Sequence, residues 1–325
     1  MRGKLLLLIV LSMCIYTTGF AFQTENLPSN DTTNVLEEND FFEDDNGNNP
    51  IIDIFTSALR FKQYKPSKKL RLNFYNNSPT INVGYGISNH FYERNSFTSK
   101  INNNGIIDIK LGSTDLHRVT PNVVEYDNDY LSFSFAENKL NYKENDNSNN
   151  YMDLRHIKLG LNNADGYGWN LGGNSHLVLY HSSGINWNSL SFDNNIADSV
   201  SINSTKIFGK QLRYGRGFAG GIRLFIINGV AISAEYEQTM TFPRHLFWKD
   251  FGSFIIETIA QELSNNFVNE VLDSSPGFAP VIHFLLKNGI SYGFYELYKD
   301  KMNWPFKTIP PLMNKTYKIG IDFIF

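Results

Sequence analysis

His181 and Ser183 stand two residues apart in Leu179-Tyr180-His181-Ser182-Ser183-Gly184, a spacing that puts both side chains on one face of a β-strand. An imidazole so placed could take the proton of the serine hydroxyl during acyl transfer. The third member of such a constellation, an acid to orient the imidazole, is not marked; Asp193 is a candidate only by its nearness in sequence. The competing reading is a polar strand end turning at Ser182-Ser183-Gly184. Gly215-Arg216-Gly217-Phe218-Ala219-Gly220 satisfies G-x-G-x-x-G, but a dinucleotide fingerprint needs a strand before it and a helix after it. An alternating strand follows here, so the glycines are expected to ease that strand past crowded neighbours. The seven His residues show neither H-E-x-x-H nor close metal spacing, and neither a metal nor a cofactor is expected. Glu235 and Glu237 share one strand face, with Arg223 and Lys210 not far off in sequence.

The elements that carry these residues are strands. Beyond about residue 68 the chain repeatedly places apolar side chains at every second position, which is period two. Ile81, Val83, Tyr85 and Ile87 alternate with Asn82, Gly84 and Gly86; Leu131, Phe133 and Phe135 alternate with Ser132 and Ser134. Such runs occur at 69–75, 79–88, 105–112, 130–137, 151–161, 169–181, 184–192, 218–227, 230–240 and 315–325. Asn228-Gly229, between two alternating arms, predicts a type I′ hairpin, and Ser182–Gly184 a second short turn. The first half of the chain does not keep parity, since 137–150 would become a long loop on the short-turn side. A soluble sandwich also alternates, and alternation alone leaves the two open.

The C-terminus favours a membrane barrel. Tyr317, Ile319, Ile321, Phe323 and terminal Phe325 form one face over about ten alternating residues, the length of a tilted membrane strand. This segment resembles the closing strand of Gram-negative outer-membrane β-barrels, whose terminal Phe and alternate apolar residues are read by the barrel assembly machinery. The resemblance implies an all-β, antiparallel transmembrane barrel, with outer-membrane lipid and that machinery as partners, and the alternating runs count to about 10–12 strands. His181-Ser182-Ser183 also faintly resembles the His-x-Ser of outer-membrane lipid A deacylases. In a barrel of ten or so strands little lumen is open, so Glu235 and Glu237 are expected to neutralise cations more than to tune a pore.

The segment 253–272 departs from period two. Ile255, Ile259, Leu263, Phe267 and Val271 recur every four residues, with Glu257, Gln261, Asn265 and Asn269 facing away. This predicts an amphipathic helix capped by Ser253 and stopped before Pro276-Gly277, its apolar face against the barrel or its loops. The stretch 280–298 reads as a helix or as a hairpin about Asn288-Gly289. The hairpin is preferred because Gly is costly inside a helix and Ile290, Tyr292 and Phe294 alternate.

Arg2 and Lys4, then the apolar run Leu5–Met13 and the small residues Gly19 and Ala21, have the layout of a secretory signal cleaved near Ala21. A competing lipoprotein reading at Cys14 suffers from the bulk of Met13. Residues 22–50 read as a flexible acidic leader and 51–325 as the barrel domain. Net charge −3 without a basic run offers no footprint for nucleic acid, and a single Cys excludes an internal disulfide framework. The expectation is a non-enzymatic envelope protein of a Gram-negative outer membrane, structural or passing small solutes. The alternatives are a lipid acyl hydrolase acting through His181 and Ser183, and a soluble secreted β-sheet protein that binds a ligand.

Overall fold

Eight long antiparallel strands hydrogen-bond in a closed ring, so every strand has two neighbours and no backbone edge is left unpaired. The computed structural model describes residues 73–92, 100–141, 151–192, 206–209 and 211–325. The signal and leader expectations, Asp193 and Lys210 lie outside the described residues. The strands are β1 (Asn73–Tyr92), β3 (Asn104–Arg118), β4 (Val123–Glu137), β6 (Leu154–Gly172), β7 (Ser175–Phe192), β8 (Leu212–Ile227), β9 (Val230–Thr241) and β10 (Leu312–Ile324). Two-residue strands β2 (Lys100–Ile101) and β5 (Tyr151–Met152) pair in parallel outside the ring.

Directly opposed residues share a face of the sheet. From Ile81 the opposed residues run through Leu111, Leu131, Leu161, Ile185, Arg216, Met240 and Met313, returning to β1 at Phe91, ten residues beyond the start. That stagger is the shear that tilts the strands, and it closes a small barrel whose interior side chains can fill. On this outward-facing circuit Arg216 is the one charged residue.

The strand number corrects the expected 10–12. Residues 73–75, the described part of the run 69–75, and the run 79–88 are both in β1, and 184–192 is the upper half of β7. Ser182–Gly184 is strand interior and not a turn: His181, Ser182 and Ser183 pair with Gly220, Ala219 and Phe218. A short connection at 119–122 between β3 and β4 restores parity. That connection, the β6–β7 turn and Asn228-Gly229 lie at one end, and all longer connections at the other. Gly229 has φ 82° but Asn228 is not at positive φ, so the turn is not type I′; a register irregularity between Phe225 and Ile227 accompanies it.

The long β9–β10 connection holds α1 (Phe247–Ser274) and α2 (Ala279–Asp300). The helix predicted from 253 begins six residues earlier, with Ser253 buried inside it and bonded to Tyr298 and the Trp304 carbonyl. Residues 280–298 form a helix, which overturns the hairpin. The faces of α1 are also reversed: Glu257 is buried while Leu263 and Phe267 are more than half exposed. Among the described residues no helix is long and apolar enough to cross a membrane.

Candidate functional site: a filled lumen and a polar seam on the barrel wall

Alternation sends the polar residues inward. Asn82, Asp108, Lys110, Ser132, Lys158, Glu235 and Lys318 are buried, while Val83, Tyr85, Leu111, Phe133 and Ile319, on the other face, are exposed. This inverts the ordinary inside and outside of a water-soluble sheet and surrounds the ring with an apolar belt. Tyr317, Ile319, Ile321 and Phe323 belong to that belt, and Phe325 lies just beyond β10 with its amide donating to the Pro79 carbonyl at 2.9 Å.

The lumen is a solid core. Lys318 Nζ lies 3.0 Å from Asp108, 2.9 Å from Glu235 and 2.8 Å from Glu237. Lys110 meets Glu235 at 2.6 Å, Lys158 pairs with Glu237, and Arg223 lies 2.9 Å from Asp322. Four cations thus face four anions, and Tyr180 donates to Glu235 at 2.9 Å. Glu235 and Glu237 therefore neutralise cations, as expected, although Arg223 turns to Asp322. Apolar clusters close both ends: Leu116, Val124, Tyr126 and Phe225 toward the short turns, and Leu154, Leu190, Phe208 and Leu312 toward the long loops. Gly221 admits the Tyr180 ring, since a Cβ there would stand 2.2 Å from it.

A second polar constellation lies outside the ring, where α2 crosses β6, β7 and β8. His283 and Lys287, one helical turn apart, approach Asp165 at 2.9 and 4.0 Å. His181 receives the next turns of the helix, with Asn288 Oδ1 3.0 Å from Nδ1 and Ser291 Oγ 3.4 Å from Nε2. Gln261 of α1 donates to Ser291 Oγ at 2.8 Å, and Asn288 donates to the Phe284 carbonyl at 2.9 Å. Gly220 makes the approach possible, because a Cβ there would lie 2.7 Å from Asn288 Oδ1. Higher on the wall Arg216 reaches Asp250 at 2.8 Å and Glu257 at 3.5 Å. The helices also expose Phe254, Leu263, Leu285 and Tyr292.

His181 and Ser183 do share the outer face of β7, but both imidazole nitrogens are engaged from α2, and Ser183 is exposed beside it. Sequence reasoning does not bring Asn288 and Ser291 to His181, because it prefers a hairpin over 280–298; Gln261, on the polar face of the predicted helix, and Gln238, within a predicted strand, carry no signal of their own. The available signal was the recurrence of His283, Lys287 and Ser291 every four residues. Between α2 and strands β8 and β9 lies a cleft of about 220 Å³ bordered by Asn288, Ser291 and Gln238. Gln238 is 5% exposed, with its side-chain amide beside the Tyr236 hydroxyl. The G-x-G-x-x-G glycines lie within β8 and no helix follows, so they form no nucleotide cradle. Among the described residues no group of three or more His, Cys, Asp and Glu side chains is disposed to hold a metal.

No protein-family model and no curated protein matches the chain. Among solved structures it is similar to Neisserial surface protein A, at 10% identity and a TM-score of 0.33, over 76% of this chain and 97% of that one. It is similar to Ail, the attachment invasion locus protein of Yersinia pestis, at 8% identity and a TM-score of 0.31, over 77% and 99%. The N-terminal β-barrel domain of Pseudomonas aeruginosa OprF aligns at 11% identity and a TM-score of 0.29, over 77% and 99%. The closed eight-stranded barrel stands on this chain's own strand register.

Proposed function

We propose that the protein is an outer-membrane envelope barrel, structural in role and closed to solutes, that carries a helical hairpin against its outer wall. The observation behind this reading is the reversal of sides: an exposed apolar belt surrounds a lumen in which four cations face four anions. In water the belt would be an aggregation surface, whereas in hydrocarbon it is the solvated face, and a closed ring satisfies the backbone there. The short turns and both ends of the ring's chain then face the periplasm, and the long connections face outward. The exposed face formed by Tyr317, Ile319, Ile321 and Phe323 supports recognition of β10 by the barrel assembly machinery. The signal sequence would supply export.

The test is heat modifiability of the detergent-extracted protein beside fractionation of the cells, followed by conductance in planar bilayers. A faster-migrating unheated band in the outer-membrane fraction, with no channel activity, is the expected result. Recovery from the soluble fraction would remove the membrane reading. Steady channel openings would replace the structural role with solute passage.

A further inference from the structure

We propose that Ser291, His181 and Asn288 form a hydrolytic triad on the outer wall of the barrel, acting on long-chain fatty acyl esters of membrane lipid. The direction of every proton in the chain of hydrogen bonds is fixed by its ends. Asn288 uses its amide nitrogen on the Phe284 carbonyl, so its Oδ1 faces His181 and accepts from Nδ1–H. That tautomer leaves Nε2 as an acceptor. Ser291 Oγ already accepts from Gln261, which leaves its hydroxyl proton to be donated to Nε2 across 3.4 Å. A nucleophile, a base in the correct tautomer and a residue orienting that base are therefore in sequence, the 3.4 Å Ser291–His181 contact lying beyond the roughly 2.6–3.2 Å of a tight catalytic hydrogen bond and within the looser range of unliganded sites.

Two further observations point to a ligand. Ser291 and Asn288 border the cleft of about 220 Å³, whose apolar lining comes from Phe218, Tyr236, Phe284 and Tyr292, with Tyr292 half exposed at its rim. Gln238 borders the same cleft with its buried amide beside the Tyr236 hydroxyl, a donor that an ester oxygen becoming an oxyanion could draw on. An apolar cleft on the outer wall of a barrel standing in a bilayer admits a hydrocarbon chain from the side. The substrate class thus rests on the membrane reading given above.

In the first half of the reaction Ser291 Oγ bonds to the acyl carbon and passes its proton to His181 Nε2. The ester's C–O bond breaks, and the leaving alkoxide takes that proton. In the second half water gives a proton to His181, its oxygen bonds to the acyl carbon, the acyl–Ser291 bond breaks, and Oγ is reprotonated. The products are the free fatty acid and the deacylated lipid.

The experiment treats the full mature protein in detergent with a long-chain alkyl fluorophosphonate and maps the adduct by mass spectrometry. Fatty acid release is then followed from phosphatidylethanolamine vesicles and from lipopolysaccharide. A heat-shifted protein labelled at Ser291 and releasing fatty acid is expected, and the productive substrate assigns the lipid source. Ser291→Ala should keep its heat shift and lose both labelling and release; His181→Gln should lose about 10²- to 10⁴-fold in release. A heat-shifted protein with no adduct, or with its adduct on Ser183 or another serine, overturns the triad while leaving the barrel intact. A protein without heat shift, recovered from the soluble fraction, overturns the lipid substrate together with the membrane reading.

Discussion

Arg216 points out of the barrel wall, yet its guanidinium is buried 2.8 Å from Asp250 and 3.5 Å from Glu257 of α1. A charge on an outward circuit that is otherwise uncharged must be neutralised locally, and the helical hairpin brings the counter-charges to it. The hairpin is thus held to the barrel by the barrel's own exceptions to apolar patterning: Asp165, His181 and Arg216.

Removing Arg216 leaves two buried carboxylates facing each other, with the His245 imidazole 3.5 Å from Asp250 in its place. Arg216→Ala should cost about 3–5 kcal/mol, the usual penalty for breaking a buried pair from one side. The loss should fall on the hairpin first. Limited proteolysis should cut within 247–300 in the variant while the barrel fragment keeps its heat-modifiable migration.

Lys318 is the centre of the lumen core, within 3.0 Å of three carboxylates. Lys318→Met unbalances the charges and should lower stability by about 3–5 kcal/mol in urea titrations of the refolded protein. Adding Glu237→Gln to Lys318→Met should recover part of that loss, because one of the stranded anions is then neutral. A double variant no better than the single one would mean that the charges do not act as a unit.

Much of this barrel is legible in the sequence and some is not, for physical reasons. Period two is imposed by the strand itself, so Ile81 to Ile87 and Tyr317 to Phe323 are visible without a structure. Strand length is hidden, because a filled lumen accepts Asn, Gly and Ser in mid-strand. Ser182-Ser183-Gly184 therefore looks like a turn and is not. In α2, Asn288-Gly289 imitates a hairpin turn, yet Asn288 is spent on His181 and Gly289 has open space beside it. The reversed faces of α1 follow from its neighbours: Gln261 and Glu257 on its buried side meet Ser291 of α2 and Arg216 of the wall. Only the fold tells what a helix face meets.

Gly220 sits beneath Asn288. An Ala there would place its Cβ 2.7 Å from Oδ1, and the end of the Asn side chain would have to move. Gly220→Ala should therefore break the bond to His181 and cost about 1 kcal/mol, the worth of one hydrogen bond. The variant should fold and keep its heat shift, with a lowered urea midpoint. If the triad operates, its fatty acid release should fall by more than its stability.

Ile319 and Leu212 are equally exposed at 67%, and exposure alone predicts the same tolerance for both. Their positions differ. Ile319 lies within the belt on β10, opposite Tyr85 and Ala234, whereas Leu212 is the first residue of β8 at the long-loop end. In water either would accept Lys at little cost. In a bilayer Ile319→Lys should cost about 2–4 kcal/mol and Leu212→Lys about 0–1 kcal/mol, since the penalty falls from the midplane to the interface. Refolding into lipid vesicles, read from the heat-shifted band across a urea series, measures both. Equal costs for the two substitutions would place the belt in water and end the membrane reading.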